Sequence, residues 1–94
     1  TGGKTIAGTG TIDEHGRVGA IGGIQQKMVG ARNSGATIFL TPAENCAEAV
    51  KAVPNGLRLV KVETLRGALD AIEALNSGDK EAEERVPTCS SVSN

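Results

Sequence analysis

Lys27 is the residue of this sequence best placed for chemistry. It closes the segment Gly22-Gly23-Ile24-Gln25-Gln26-Lys27. On a helical wheel it falls beside Ile24 and Ala31, at the edge of an apolar face. A lysine there either snorkels its amine to water or keeps it in a partly dry site. Desolvation lowers the pKa of a lysine, and a neutral amine can act as a general base. Spacing alone favours snorkelling. Two features support the other reading: the glycine pair permits close backbone approach, and Thr9 and Thr11, upstream, offer hydroxyls that can hold an amine.

The other candidates are weaker. Gly2-Gly3-Lys4-Thr5 is similar to the end of a phosphate-binding loop. Such a loop needs an earlier glycine and a helix directly after the threonine. Here Ile6-Ala7-Gly8-Thr9-Gly10 follows, poor helix material, so a strand start is expected. His15, the only histidine, lies in the charged turn Asp13-Glu14-His15-Gly16 and reads as solvated. Ser34 falls in a helix stop, and Ser77, Ser90, Ser91 and Ser93 in or beside a polar C-terminal stretch. None sits in a Gly-x-Ser-x-Gly elbow. Glu81, Glu83 and Glu84, with Lys80 and Arg85, form a mixed, solvated charge run. Separating the pKa values of paired carboxylates needs a rigid, partly dry site, which a mobile tail does not supply. Cys46 and Cys89 have no metal-ligand spacing, so no metal site is expected. They are either two free thiols or one disulfide.

Composition bounds the partners. Ten Lys and Arg against eleven Asp and Glu leave a formal net charge of -1, with no basic stripe to attract nucleic acid or acidic lipid. No apolar run approaches the roughly 20 residues of a membrane span, and no signal peptide opens the chain. Ninety-four residues make one small domain at most. Phe39 is the only aromatic residue, so the core must come from Ile, Leu, Val and Ala, while thirteen glycines add backbone entropy. A domain this small is marginal even with a good core. The expectation is therefore a piece of a larger domain, with sequence preceding Thr1, or a chain that leans on a partner.

The elements that must position Lys27 read as follows. Residues 5–12 form a strand, 13–16 a turn with Gly16 at positive φ, and 17–21 the returning strand of a hairpin. Residues 24–32 form a helix with Ile24, Met28 and Ala31 inward, stopped by Asn33-Ser34-Gly35. Residues 37–40 are a short buried strand. Pro42 opens a second helix with Cys46, Val50 and Val53 on one face. Residues 57–62 form a third strand region after the Pro54-Asn55-Gly56 turn. Thr64 caps a third helix with Leu65, Leu69, Ile72 and Leu75 on its apolar stripe. Residues 77–94 read as a mobile tail after a domain of residues 1–76. Strands alternating with helices predict an α/β (α+β) fold with parallel pairing in the second half.

Thr9-Gly10-Thr11-Ile12, followed by Gly16-Arg17-Val18-Gly19-Ala20-Ile21-Gly22-Gly23-Ile24-Gln25-Gln26-Lys27, resembles the Lon peptidase domain. That family has a Thr-Gly pair on a strand, a turn glycine, then Pro-Ile-Gly-Gly-Leu-Lys-x-Lys. The second lysine of that segment is the base of a Ser-Lys dyad and falls on Lys27. The strand threonine that hydrogen-bonds it falls on Thr9. Residues 31–45 look like the family's next helix end, strand and Pro-x-x-Asn loop, and residues 57–75 like its last strand and helix. Ala20 stands where Pro is usual, Thr11 where the ATP-dependent enzymes have Glu, and Gln25 in place of the noncatalytic Lys. The family's Gly-Pro-Ser-Ala-Gly segment, with the nucleophilic serine, has no counterpart in this sequence.

The resemblance implies an incomplete Lon-type domain that carries the lysine base of a serine endopeptidase but not its nucleophile, and so is inactive alone. It implies unfolded protein or peptide as substrate, an upstream segment bearing the serine, a homo-oligomer (hexameric in the family), and no cofactor in this chain. The substitutions are similar to those of bacterial proteins that join a PDZ domain to a Lon-type domain behind a membrane anchor, facing outward. There a Cys46–Cys89 disulfide is chemically allowed. Two other readings stay open: a binding module holding an anion at the Gly22-Gly23 helix start, and a peptidase-like fold used only for assembly.

Overall fold

In the computed structural model, which describes residues 5–89, the chain forms a three-stranded sheet with helices on both faces. The strands are β1 (Ile6–Gly8), β4 (Ile38–Pro42) and β5 (Arg58–Val62), in the order β1-β4-β5. Both pairings are parallel, with Ile6 opposite Ile38 and Phe39 opposite Leu59. A small antiparallel ribbon, β2 (Thr11–Ile12) with β3 (Val18–Gly19), stands apart from this sheet. The expected α/β class and parallel second half are both present.

Alternation along the strands divides the core. Phe39 and Leu59 face one way, packed with Ile24 and Met28 of α1 (Ile24–Asn33) and Ala49 of α2 (Cys46–Ala49). Ile38, Val60 and Val62 face the other way, against Ala71 and Leu75 of α3 (Leu65–Asn76). A strand covered on both faces needs a nearly continuous apolar run. β4 supplies one, and its buried Thr41 is tolerated because its hydroxyl donates to the Phe39 carbonyl, 3.3 Å away.

Three expectations are corrected. The single strand over 5–12 is two strands, because Gly10 takes φ +154° and the chain turns off the sheet into the ribbon. A Cβ at Gly10 would lie 3.0 Å from Val18 and 3.3 Å from Pro42, so the bend is tightly packed. On the second helix, a 3₁₀ turn (Ala43–Asn45) precedes α2. Ala49 goes inward there, while Val53 is exposed. On α3, Thr64 caps as expected, its hydroxyl accepting from the Gly67 N–H at 2.9 Å, but the apolar stripe splits. Ala71 and Leu75 enter the core, whereas Leu65 and Leu69 are exposed and line an open apolar groove with Ile6, Leu40 and Ile72.

Residues 77–89, expected within a mobile tail, fold back onto the domain. Asp79 caps α4 (Lys80–Glu84) by accepting from the Glu81 and Ala82 N–H groups. Val86 is then buried against Val60 and Leu75. The Lys61 N–H donates to the Pro87 carbonyl and the Cys89 N–H to the Leu59 carbonyl, so this arm lies along the edge of β5. Cys46 and Cys89 are joined by a disulfide, with their Cα atoms 5.2 Å apart.

In the ribbon turn, the Asp13 carboxylate accepts from the His15 N–H at 2.8 Å and the Arg17 N–H at 2.9 Å. Gly16 takes φ +78°, as expected. The Arg17 N–H bond holds the Asp13 carboxyl below its ordinary value against an opposing effect of desolvation, and the His15 N–H and the Arg17 charge add to the lowering.

Two predictions follow from these contacts. The disulfide closes a sequence separation of 43, worth about 4 kcal/mol in the chain-entropy account. Reduction should lower the urea midpoint accordingly, and identical oxidised and reduced midpoints would contradict the pairing. For Asp13, a folded pKa below the unfolded one means a stabilisation fully present above the ordinary carboxylate range and lost as pH falls through the folded value. The amide shifts of His15 and Arg17 should therefore titrate together, with a midpoint below 3.8.

Candidate functional site

Lys27 is held on α1 by its neighbours rather than by contacts of its own amine. The helix starts at Gly23, which takes the left-handed conformation (φ 70°, ψ 31°) and provides no side-chain cap. The Lys27 N–H donates to the Gly23 carbonyl at 3.1 Å, closing the first turn. Ile24 and Met28, four residues apart, are fully buried and fix which side of α1 faces the sheet. That leaves Lys27 exposed, with its side chain toward the β1 end of the sheet. Among the described residues it makes no ion pair.

At the far end of α1, Arg32 fixes the helix to the 54–56 turn. Its Nε donates to the Asn55 carbonyl at 3.0 Å and its Nη1 to the Ala36 carbonyl at 3.1 Å. Gly56, at φ +86°, lies so close that a Cβ there would sit 2.8 Å from the guanidinium. Long-range contacts of this kind carry no periodic signature, and the sequence reading missed this one.

Lys27 and Thr9 line the same open groove of about 400 Å³ between β1 and α1. Gly8, Gly30, Ala31 and Phe39 also line it, so the walls are small side chains and the floor is the single aromatic. Thr9 is half-buried just past the end of β1. No hydrogen bond joins its hydroxyl to Lys27 among the described residues. Thr11, the other candidate hydroxyl, is elsewhere. It lies on the ribbon beside Asp13, Arg17 and Glu63, a separate surface. The bend at Gly10 is what parts the two threonines.

The remaining sequence candidates stay out of the groove, with one exception. Ser34 ends α1 as expected and is among the residues that line the groove. His15 is solvent-exposed on the ribbon turn, 3.6 Å from Glu14. The charge run is largely solvated on α4, with Arg85 and Glu81 3.8 Å apart. Ser77 bonds its own helix end. Gly2, Gly3 and Lys4, with Ser90, Ser91 and Ser93, lie outside the described residues. No group of three or more metal-ligating side chains occurs among the described residues.

The structure also explains how the chain reaches α1. Asn45, at the end of the 3₁₀ turn, is only 4% exposed. Its Oδ1 accepts from the Ile21 N–H and its Nδ2 donates to the Ile21 carbonyl, both at 3.0 Å. The sequence reading assigned Asn45 to a loop motif, without this partner 24 positions away.

Comparison with known proteins identifies a family. The family of the Lon protease (S16) C-terminal proteolytic domain matches residues 2–75. Lon protease 2 of Bacillus subtilis is 37% identical over 69 residues, covering 73% of this chain and 12% of that protein. Lon protease of Heliobacterium modesticaldum is 41% identical over 63 residues, covering 64% of this chain and 8% of that protein. A mitochondrial Lon protease homologue of Scheffersomyces stipitis is 35% identical over 79 residues, covering 81% of this chain and 7% of that protein. The chain thus spans about a tenth of the length of these relatives. It belongs to the Lon protease C-terminal proteolytic domain family.

Proposed function

We propose, starting from that family membership, that this chain is the lysine-bearing part of a Ser-Lys endopeptidase site. Lys27 is the general base and Thr9 its supporting hydroxyl. One observation carries the reading: the two residues at the family's motif positions line a single open groove at the exposed side of β1. The nucleophilic serine belongs to a segment outside these 94 residues, so the isolated chain is inactive.

The chemistry is acyl transfer. The neutral Lys27 amine takes the proton of the serine hydroxyl as the oxygen attacks a peptide carbonyl. The tetrahedral intermediate collapses to an acyl-enzyme, and Lys27 returns the proton to the departing amine. Lys27 then deprotonates water, which hydrolyses the ester and restores the serine. Thr9 steers the amine by accepting one of its N–H bonds, a shift that a half-buried hydroxyl on the same groove wall can make. Backbone donors around the serine stabilise the oxyanion.

The substrate class is unfolded protein or peptide, and the assembly is a homo-oligomeric ring. We further place the chain in the ATP-independent subgroup that couples a PDZ domain to this domain behind a membrane anchor, facing outward. The Cys46–Cys89 bond supports that setting, because disulfides persist in oxidising compartments.

The test uses the parent protein, with the segment that carries the serine, cleaving an unfolded substrate without ATP. Lys27→Ala should lower kcat on the order of 10³-fold. Thr9→Val, which keeps the shape and removes the hydroxyl, should lower it about tenfold. Undiminished cleavage by Lys27→Ala removes it from the chemistry. Cleavage that needs ATP removes the ATP-independent assignment.

A further inference from the structure

We propose that Asn45 is a positioning residue for Lys27, an inference that rests on Lys27 being the base. Its amide forms a reciprocal pair with the Ile21 backbone: Oδ1 accepts from the N–H and Nδ2 donates to the carbonyl, both at 3.0 Å. Two residues later Gly23 begins α1, and the Gly23 carbonyl accepts the Lys27 N–H at 3.1 Å. A short, continuous path thus runs from Asn45 through Ile21 and Gly23 to the backbone of Lys27.

The path matters because the linker's other anchor is apolar, the half-buried Ile21 side chain packed against the core. Gly22 has no side chain, and a Cβ built there would meet nothing within 4 Å. Gly23 gives α1 no side-chain cap. Ile24 and Met28 bury fully, but apolar burial is non-directional. It selects the inward face, while the directional bonds of Arg32 hold the far end of α1 and not the end that carries Lys27. The Asn45 pair is directional and holds the chain at one register, three residues before the first buried side chain of α1.

Asn45 is itself well anchored. It is 4% exposed and ends the 3₁₀ turn that follows the buried β4. Its side chain meets both needs of Ile21 at once. Aspartate offers no donor when ionised, and glutamine is one methylene too long for the same pair. The clamp touches neither the groove nor the amine, so it acts on the reaction through the placement of α1.

The experiment measures kcat and KM for the serine-containing parent protein, with Ala49→Gly as a control. Ala49 is buried on α2 and makes no hydrogen bond to Ile21 through its side chain. Asn45→Ala should lower kcat on the order of 10²-fold with KM within about twofold. Ala49→Gly should lower Tm while keeping kcat near wild type. Should Asn45→Ala not fold, Asn45→Asp carries the test. It loses kcat at neutral pH, and its kcat relative to wild type recovers as pH is lowered and the protonated carboxyl regains a donor. The inference is overturned if Asn45→Ala and Ala49→Gly lose kcat in proportion to their loss of Tm. It is also overturned if Asn45→Ala raises KM alone, or if the Asn45→Asp ratio does not change with pH. Full activity of Lys27→Ala would instead remove the base itself, and with it the residue that Asn45 is argued to place.

Discussion

Burial of β4 on both faces is the constraint from which the other elements take their positions. Ile38 and Phe39 point to opposite sides, so one strand demands cover twice. α1 and α2 supply it on the Phe39 side, and α3 with Val86 on the Ile38 side. With a single aromatic in the chain, neither layer has bulk to spare. Phe39 is fully enclosed at the centre of one layer and also forms the floor of the Lys27 groove. The groove thus borders the sheet's core, with walls built from the small residues Gly8, Gly30 and Ala31.

What was legible in the residues was local. A repeat of 3.6 placed Ile24 and Met28 inward and thereby put Lys27 on the outer flank of α1. Thr64 before an apolar stripe marked a helix start, and the β4 run of Ile, Phe and Leu marked a doubly covered strand. Gly16 in its turn was readable for the same reason, since four residues suffice to define it.

What was not legible depends on distant partners. Periodicity cannot divide residues 5–12, because the break follows from how Gly10 packs against Val18 and Pro42. It cannot tell that Leu65 and Leu69 stay outside while Ala71 goes in, because the sheet covers only part of α3. Residues 77–89 look like a tail by composition. They are held by Val60, against which Val86 is buried, by the β5 edge and by Cys46, all distant from them in sequence. The Asn45–Ile21 pair belongs to the same class. The motif was visible, and the partner of its asparagine emerged only when the fold brought Ile21 beside it.

The disulfide has one more implication, concerning cuts in the chain. Cys46 and Cys89 enclose the exposed turn around Asn55 and Gly56 and the polar link from Ser77 to Asp79. These are the kinds of surface segment where proteases nick folded proteins. A single cut at either place would leave both pieces joined by sulfur, with β4 and β5 still hydrogen-bonded. In an oxidising setting shared with other peptidases, such a nicked domain keeps its mass and its core. It would register as damaged only after reduction.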